Sequence, residues 1–307
     1  MHVIEAKSLT KTYPGGVQAV RGIDFEVEPG EVFGLLGPNG AGKSTTVGML
    51  TTTILPTGGQ ALVGGYDVVK QPLDARRVSS VVFQEPVVDR ALTGRANLDL
   101  HARLWGAGSK KRIGELTEQL GLTELIDRPV ETYSGGERRR LEIARALASE
   151  PKVLFLDEPT VGLDPRIRHE LLDVVADLRA SHELTILVTT HYLDEAERLA
   201  DRVAIVHEGT VVALDSPKAL LEQLGSEILE VRVEGEPNAA LAALKLQRLA
   251  GDDAFVIGAR VTVPLHGHTA TEVLAGLRTH ASEISTRVPT LDDVYLQLTG
   301  GRLAQAA

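Results

Sequence analysis

Val32-Phe33-Gly34-Leu35-Leu36-Gly37-Pro38-Asn39-Gly40-Ala41-Gly42-Lys43-Ser44-Thr45 is the stretch on which the fold turns. Val32–Leu36 is apolar enough for a strand buried on both faces, as strands of a parallel sheet are. From Gly37 to Thr45 the chain has the spacing of a P-loop, with a helix beginning near Lys43. Glycines at 37, 40 and 42, separated by Pro38, Asn39 and Ala41, let backbone N–H groups curl round a β-phosphate. Lys43 adds a positive charge, Ser44 offers a hydroxyl to Mg2+, and Thr45 closes the expected ATP-binding run. The positive end of the helix dipole faces the phosphates as well. A chance glycine-rich turn is the competing reading, but it requires neither the strand before nor the helix after.

Outward from that loop, Val81–Phe83, Val153–Leu156, Ile186–Val188 and Val203–Val206 repeat the short apolar run and predict a mostly parallel sheet. Val3–Leu9 and Ala19–Val27 predict an antiparallel edge layer ended by the Pro29–Gly30 turn. Between Glu85 and Ser149 the strand signals vanish. Leu92–Trp105, Lys110–Leu120 and Glu137–Ala148 have helical spacing there, with Gly106–Ser109 a loop, so a helical insertion is expected over about 86–149. The expected fold class is α/β: a P-loop NTPase core with an antiparallel edge layer and a helical insertion, over 1–225. A helix at Asp215–Gly225 closes it.

From Ser226 the pattern restarts. Ile228–Val233 reads as a strand, Pro237–Leu244 as a helix, and Phe255–Leu265 as a hairpin turning at Gly258. Thr269–His280 reads as a helix, Ile284–Val288 as a strand and Leu291–Leu298 as a last helix, capped by Thr290 and Asp293. This predicts a small α+β domain over 226–307, with a dimerisation or regulatory role.

Bulk composition narrows the functional classes. A formal charge of −10 argues against the basic surface of a nucleic-acid-binding protein, so no nucleic-acid partner is expected. The absence of cysteine removes disulfides and thiolate metal sites. Met1–Tyr13 is too polar for a secretory leader, and no run approaches the length of about 18 apolar residues that spans a bilayer. A cytoplasmic protein is expected.

Two further stretches carry chemistry. Val153-Leu-Phe-Leu-Asp157-Glu158 is a buried strand ending in two carboxylates. At the C-terminal edge of a parallel sheet, Asp157 can hold the Mg2+ shell and Glu158 can polarise an attacking water as general base. Tyr133-Ser134-Gly135-Gly136-Glu137 sits at the start of a helix, offering a hydroxyl, exposed N–H groups and a dipole to a γ-phosphate. An ordinary serine-capped helix is the plainer alternative.

That second stretch resembles the signature of the ABC ATPases, usually Leu-Ser-Gly-Gly-Gln, with Tyr133 for Leu and Glu137 for Gln. The resemblance covers about residues 3–220. It implies that Gln84 senses Mg2+ and the attacking water, and that His191 contacts the γ-phosphate. Asp164, in Gly162-Leu163-Asp164, belongs to a loop crossing a dimer interface, and the ring of Tyr13 stacks on adenine. It also implies that two modules pack head to tail, so that Ser134, Gly135, Gly136 and Glu137 of one copy meet the ATP held by the other.

The tail Pro289-Thr-Leu-Asp-Asp-Val-Tyr-Leu-Gln-Leu-Thr299-Gly300 and the segment Leu92-Thr-Gly-Arg-Ala-Asn-Leu98 resemble the daunorubicin-resistance type of ABC exporter ATPase. Leu291, Val294, Tyr295 and Leu298 also fit a plain amphipathic docking helix. The exporter resemblance implies a separate transmembrane permease subunit, a second copy or homologous ATPase subunit, and a place on the cytoplasmic face of the membrane. Contact with the permease is expected over Pro86–Leu98, with Asp89, Arg90 and Arg95 as candidates. Two other readings stand beside this one. An importer ATPase would use the tail as a regulatory domain, which the closing motif disfavours. A soluble ABC protein of translation or DNA repair would show a second P-loop or a long coiled coil, and neither is present.

Overall fold

In the computed structural model, which describes residues 2–106, 110–181, 184–277 and 279–300, two long strands come first. β1 (Ile4–Thr12) and β2 (Gln18–Val27) pair antiparallel, and alternation along β2 turns Val20, Ile23, Phe25 and Val27 inward. β3 (Val32–Leu36) is buried along its whole length and leads into α1 (Lys43–Leu50). β4 (Gly58–Val63) and β5 (Tyr66–Asp67) then complete a four-stranded antiparallel layer in the order β2-β1-β4-β5. α2 (Pro72–Arg77) precedes β6 (Ser79–Val82).

The expected helical insertion follows as α3 (Gly94–Leu104), α4 (Lys110–Gln119) and α5 (Gly135–Leu147). Of the loop expected at Gly106–Ser109, residues 107–109 lie outside the described residues. β7 (Val153–Asp157), α6 (Pro165–Ser181), β8 (Thr185–Thr190), α7 (Leu193–Leu199), β9 (Arg202–His207) and β10 (Thr210–Asp215) close a six-stranded sheet. Its order is β10-β9-β3-β8-β7-β6, with β3 lying parallel to both β8 and β9.

This sheet separates two cores, and strand alternation sorts its side chains between them. Val153 and Phe155 of β7, Leu187 of β8 and Phe33 and Leu35 of β3 face the antiparallel layer and α1. Leu154 and Leu156 of β7, Ile186 and Val188 of β8 and Val32 of β3 face the helical insertion and α6. Phe33 stacks on Phe25 with ring centroids 5.1 Å apart. Each large side chain so buried stabilises the fold by about 1.5–3 kcal/mol. Covered on both faces, the sheet holds the ends of β3, β7 and β8 rigidly at one edge. The chemistry sits there.

The chain divides into two compact units between Leu214 and Asp215, not after Gly225. The stretch Asp215–Gly225 contains α8 (Pro217–Glu222), capped by Ser216, and it packs against the last helix of the second unit. That unit continues with β11 (Ile228–Val233), α9 (Pro237–Leu246), β12 (Phe255–Ile257), β13 (Arg260–Pro264), α10 (Ala270–Gly276), β14 (Ala281–Arg287) and α11 (Leu291–Thr299). Its antiparallel sheet runs β12-β13-β11-β14, and Leu229, Val231, Val261 and Val263 pack with Leu244 and Val273 in its core.

The helix expected over Thr269–His280 ends at Gly276, because Ala281 is already paired with Val233 in the sheet. Thr290 and Asp293 form the foreseen capping box, and Asp293 also takes Arg287 of β14, which in turn pairs with Glu230 of β11. On α11 the buried face is Leu291, Val294, Tyr295 and Leu296, while Leu298 is exposed.

Candidate functional site

The P-loop leaves β3 and tightens at Gly42, whose φ of 107° and 2.4 Å approach of a built Cβ to the Ala19 carbonyl leave room for glycine alone. Ala41 is buried beneath the turn and accepts from Gly209 N–H at 2.9 Å. Asn39, Gly40, Gly42, Lys43, Ser44 and Thr45 line one side of a cleft of about 450 Å³, and Gln84 and Glu158 line the other. Gly37 and Pro38 turn their carbonyls to Lys43 Nζ, at 2.8 and 3.2 Å.

Lys43 Nζ also lies 3.1 Å from Glu158 Oε1, and both side chains are almost fully buried. Away from bulk water such a pair is strongly coupled, and removing one partner strands the other. Glu158 follows the last residue of β7 with φ 46°, a left-handed conformation that only its surroundings can impose on a non-glycine residue. Those surroundings are explicit: its N–H donates to Thr189 O at 3.2 Å and to Thr189 Oγ1 at 2.9 Å. His191, just beyond β8, brings Nδ1 to 3.5 Å from Glu158 Oε2 and leaves Nε2 buried with no hydrogen-bond partner among the described residues.

Asp157 accepts from Ser44 Oγ at 3.2 Å and from Thr189 Oγ1 at 2.5 Å. Hydroxyl, carboxylate and the amide of Gln84 form an all-oxygen donor set of the kind Mg2+ takes beside phosphates. No cluster of three His, Cys, Asp or Glu suited to a metal occurs among the described residues, and Mg2+ at a phosphate site does not need one. Tyr13 lies outside the cleft lining, but its hydroxyl is 3.4 Å from Thr45 Oγ1 and its ring lies under Lys11 Nζ at 5.1 Å.

The signature occupies a different surface. Ser134 is exposed, is not among the residues lining the cleft, and caps α5: Glu137 N–H donates to Ser134 Oγ at 3.3 Å and Ser134 N–H to Glu137 Oε2 at 2.7 Å. The serine-capped helix is thus real, and Glu137 fits it as the reciprocal partner of a capping box. Tyr133 is explained by its neighbours. Its ring is buried and its hydroxyl donates to Leu125 O at 2.5 Å, with burial pushing the phenol above its ordinary value.

Gly136 lies against α6, where a Cβ would meet Ile167 Cγ2 at 2.3 Å, and Gly135 lies beside Leu163. Asp164 is exposed and accepts from Ile167 N–H at 3.1 Å, so the expected interface loop also starts α6. Of the permease candidates, Arg95 is held bidentate by Asp127, and the backbone of Asp89 is held by Asn97.

Sequence reasoning passed over three groups. Thr189 donates to the Asp157 carboxylate and accepts from the Glu158 backbone N–H, and its place at the end of β8 was the available signal. Glu195 is buried, takes Thr160 Oγ1 and Thr190 Oγ1 at 2.5 and 2.7 Å, and pairs with Arg168 of α6; burial raises its carboxyl above the ordinary range. Arg139 and Glu142 are buried on α5, opposite charges three residues apart in an apolar-striped helix.

Similarity to known proteins agrees with this geometry. Residues 20–161 match the ABC transporter family. The chain is 42% identical to the daunorubicin/doxorubicin resistance ATP-binding protein DrrA of Streptomyces peucetius, over 97% of this chain and 92% of that protein. It is 40% identical to the daunorubicin resistance ATP-binding protein DrrA2 of Streptomyces coeruleorubidus, over 98% of this chain and 96% of that protein. Among solved structures, cbiO1 of Clostridium perfringens, part of the ABC transporter complex cbiONQ, superposes with a TM-score of 0.66 at 28% identity. That match covers 72% of this chain and 91% of the other. A P-loop, a carboxylate pair and a signature arranged in this way, matched over nearly the whole chain, leave one conclusion: this chain belongs to the ABC transporter family, as an ATPase of the daunorubicin-resistance type.

Proposed function

We propose that this ATPase powers efflux of a drug, antibiotic or lipid-like compound through a separate transmembrane subunit, working as a pair with a second ATPase subunit at the cytoplasmic face of the membrane. The observation that carries the reading is the split between the two surfaces. Lys43, Ser44, Gln84 and Glu158 share one cleft, while Ser134 is exposed outside it. A second copy packed head to tail would bring its Ser134 and the α5 dipole to the ATP this cleft holds.

Within the cleft, Lys43 and the loop N–H groups hold the phosphates, and Tyr13 offers its ring to adenine. Ser44, Asp157 and Gln84 would hold Mg2+, which when bound neutralises charge on the β- and γ-phosphates. Glu158, fixed by Thr189, accepts the proton of the attacking water, and buried His191 has Nε2 free to donate toward a phosphate oxygen. Binding closes the pair and hydrolysis reopens it, a ligand-driven shift between two states. No described helix is long and apolar enough to cross a membrane. A separate pore-forming chain supplies that passage. The efflux direction and cargo class draw support from the drug-resistance relatives and from the closing motif Pro289–Gly300.

The test is ATP-driven accumulation of an anthracycline in inverted vesicles holding this chain and its membrane subunit. Accumulation that disappears with Glu158→Gln supports efflux. ATP turnover with no movement of anthracycline, antibiotic or lipid probe would overturn it.

A further inference from the structure

Three arginines follow the signature, and only the middle one is buried: Arg139 is 6% exposed, in the second turn of α5. A guanidinium carries five N–H donors in a fixed fork. Here they make five hydrogen bonds. Nε donates to Pro159 O at 2.8 Å, and Nη1 donates to Phe83 O at 2.6 Å and to Glu142 Oε2 at 2.9 Å. Nη2 donates to Gln84 O at 3.3 Å and to Glu158 O at 3.4 Å. Glu142 spends its other oxygen on Val87 N–H at 2.9 Å. Two side chains of the signature helix therefore grip residues 83–87 and 158–159, the two backbone segments that carry Gln84 and Glu158.

We propose that Arg139 is a positioning residue that couples the two ATP sites of the working pair. When Ser134 at the head of α5 engages the partner's nucleotide, the guanidinium passes that placement to the Gln84 and Glu158 of its own chain. The inference rests on the paired arrangement proposed above. Its physical content is that one rigid, buried fork bonds to the carbonyl of both residues, so α5 cannot shift without moving them or breaking charge-assisted bonds. A merely structural Arg139 would instead keep the signature in shape, and its loss would appear in the partner's site.

Mixed dimers of differently tagged full-length chains separate the two. Glu158→Gln in one copy silences that copy's site and defines the control. With Arg139→Gln in the other, still active copy, turnover should fall by about tenfold to a hundredfold. With Arg139→Gln in the silenced copy instead, turnover should stay within about twofold of control. ATP dependence that is cooperative in the wild type should lose its cooperativity in the homodimeric variant. Fluorescent-nucleotide affinity and the unfolding midpoint read folding separately. Arg139→Lys, which keeps the charge without the fork, should restore the midpoint but not the turnover. Loss confined to the silenced-copy arrangement, equal loss in both, or loss in neither overturns the coupling. A wild-type chain that neither hydrolyses ATP nor pairs takes down the proposed function itself.

Discussion

The P-loop cleft and the signature surface, the two walls of the proposed paired site, are built on opposite principles. The P-loop wall is sunk into the parallel sheet, and Lys43, Asp157 and Glu158 are all buried, each tied to another through an ion pair or through Ser44 and Thr189. On the signature surface Ser134 is exposed at the base of the helical insertion, and the side chains of Ser134 and Glu137 cap their own helix. Charge-handling groups gain from a dry, pre-organised setting, where they need no reorganisation at the moment of reaction. A surface that must meet a second molecule has to remain reachable. In the proposed pair, one chain thus carries a finished half-site and a presented half-site.

The largest test of that contrast is Glu158→Gln, which should cut steady ATP turnover by about 100-fold or more while nucleotide binding persists. Phosphate release and ATP-dependent dimer trapping on a sizing column measure the two, and undiminished turnover excludes Glu158 as the base. Ser134→Ala should lower turnover in the partner's site by about 100-fold, as loss of an anion-binding donor does. It should also take about 1 kcal/mol from stability through the lost cap, read by denaturant titration. Gly136→Ala forces a methyl onto Ile167 and should destabilise by about 1–3 kcal/mol, with partial recovery on adding Ile167→Ala.

Tyr133→Phe removes only the bond to Leu125 and should lose about 1 kcal/mol, with ATP affinity intact. Acid tests the helical insertion rather than either surface. Burial, helped by Arg145, pushes the His101 imidazole on α3 down to about 4 from an ordinary value of 6.5. Between those values the unfolded chain binds more protons, so this contribution is complete above pH 6.5 and is lost as pH falls toward 4. His101→Gln should flatten the stability profile across that window, measured as denaturation midpoints. An unchanged profile would dismiss His101 as its source.

What could be read from the chain beforehand was what local pattern encodes. β3, β7, β8 and β9 announced themselves as apolar runs because both faces of an inner parallel strand are buried. β4 begins with two glycines and alternates only weakly, and β10 is nowhere fully buried, so neither carried a periodic signal. α6 was legible and was passed over: Leu171, Leu172, Val175 and Leu178 have helical spacing. The unit boundary was misplaced because α8 belongs to whatever it packs on, and its partner α11 lies far along the chain.

The same limit hid Arg139. Arg138, Arg139 and Arg140 are equivalent by composition, and only the approach of β6, β7 and their loops makes the middle one a hub. The P-loop, Asp157 and Glu158 were recognisable from chemistry. Thr189 was not, since one of three threonines in β8 becomes meaningful only when the Asp157 carboxylate and the Glu158 N–H arrive beside it.

The place of β3 between β8 and β9 matters to the cell before any ATP is bound. During synthesis the strand emerges early, yet neither flanking strand exists until residues beyond 184 have been made. At about 5–20 residues per second that is a wait on the order of ten seconds for an apolar ribbon with both edges open. Nascent chains stalled before β8 should therefore be chaperone clients or insoluble, and solubility should return once β9 has cleared the ribosome.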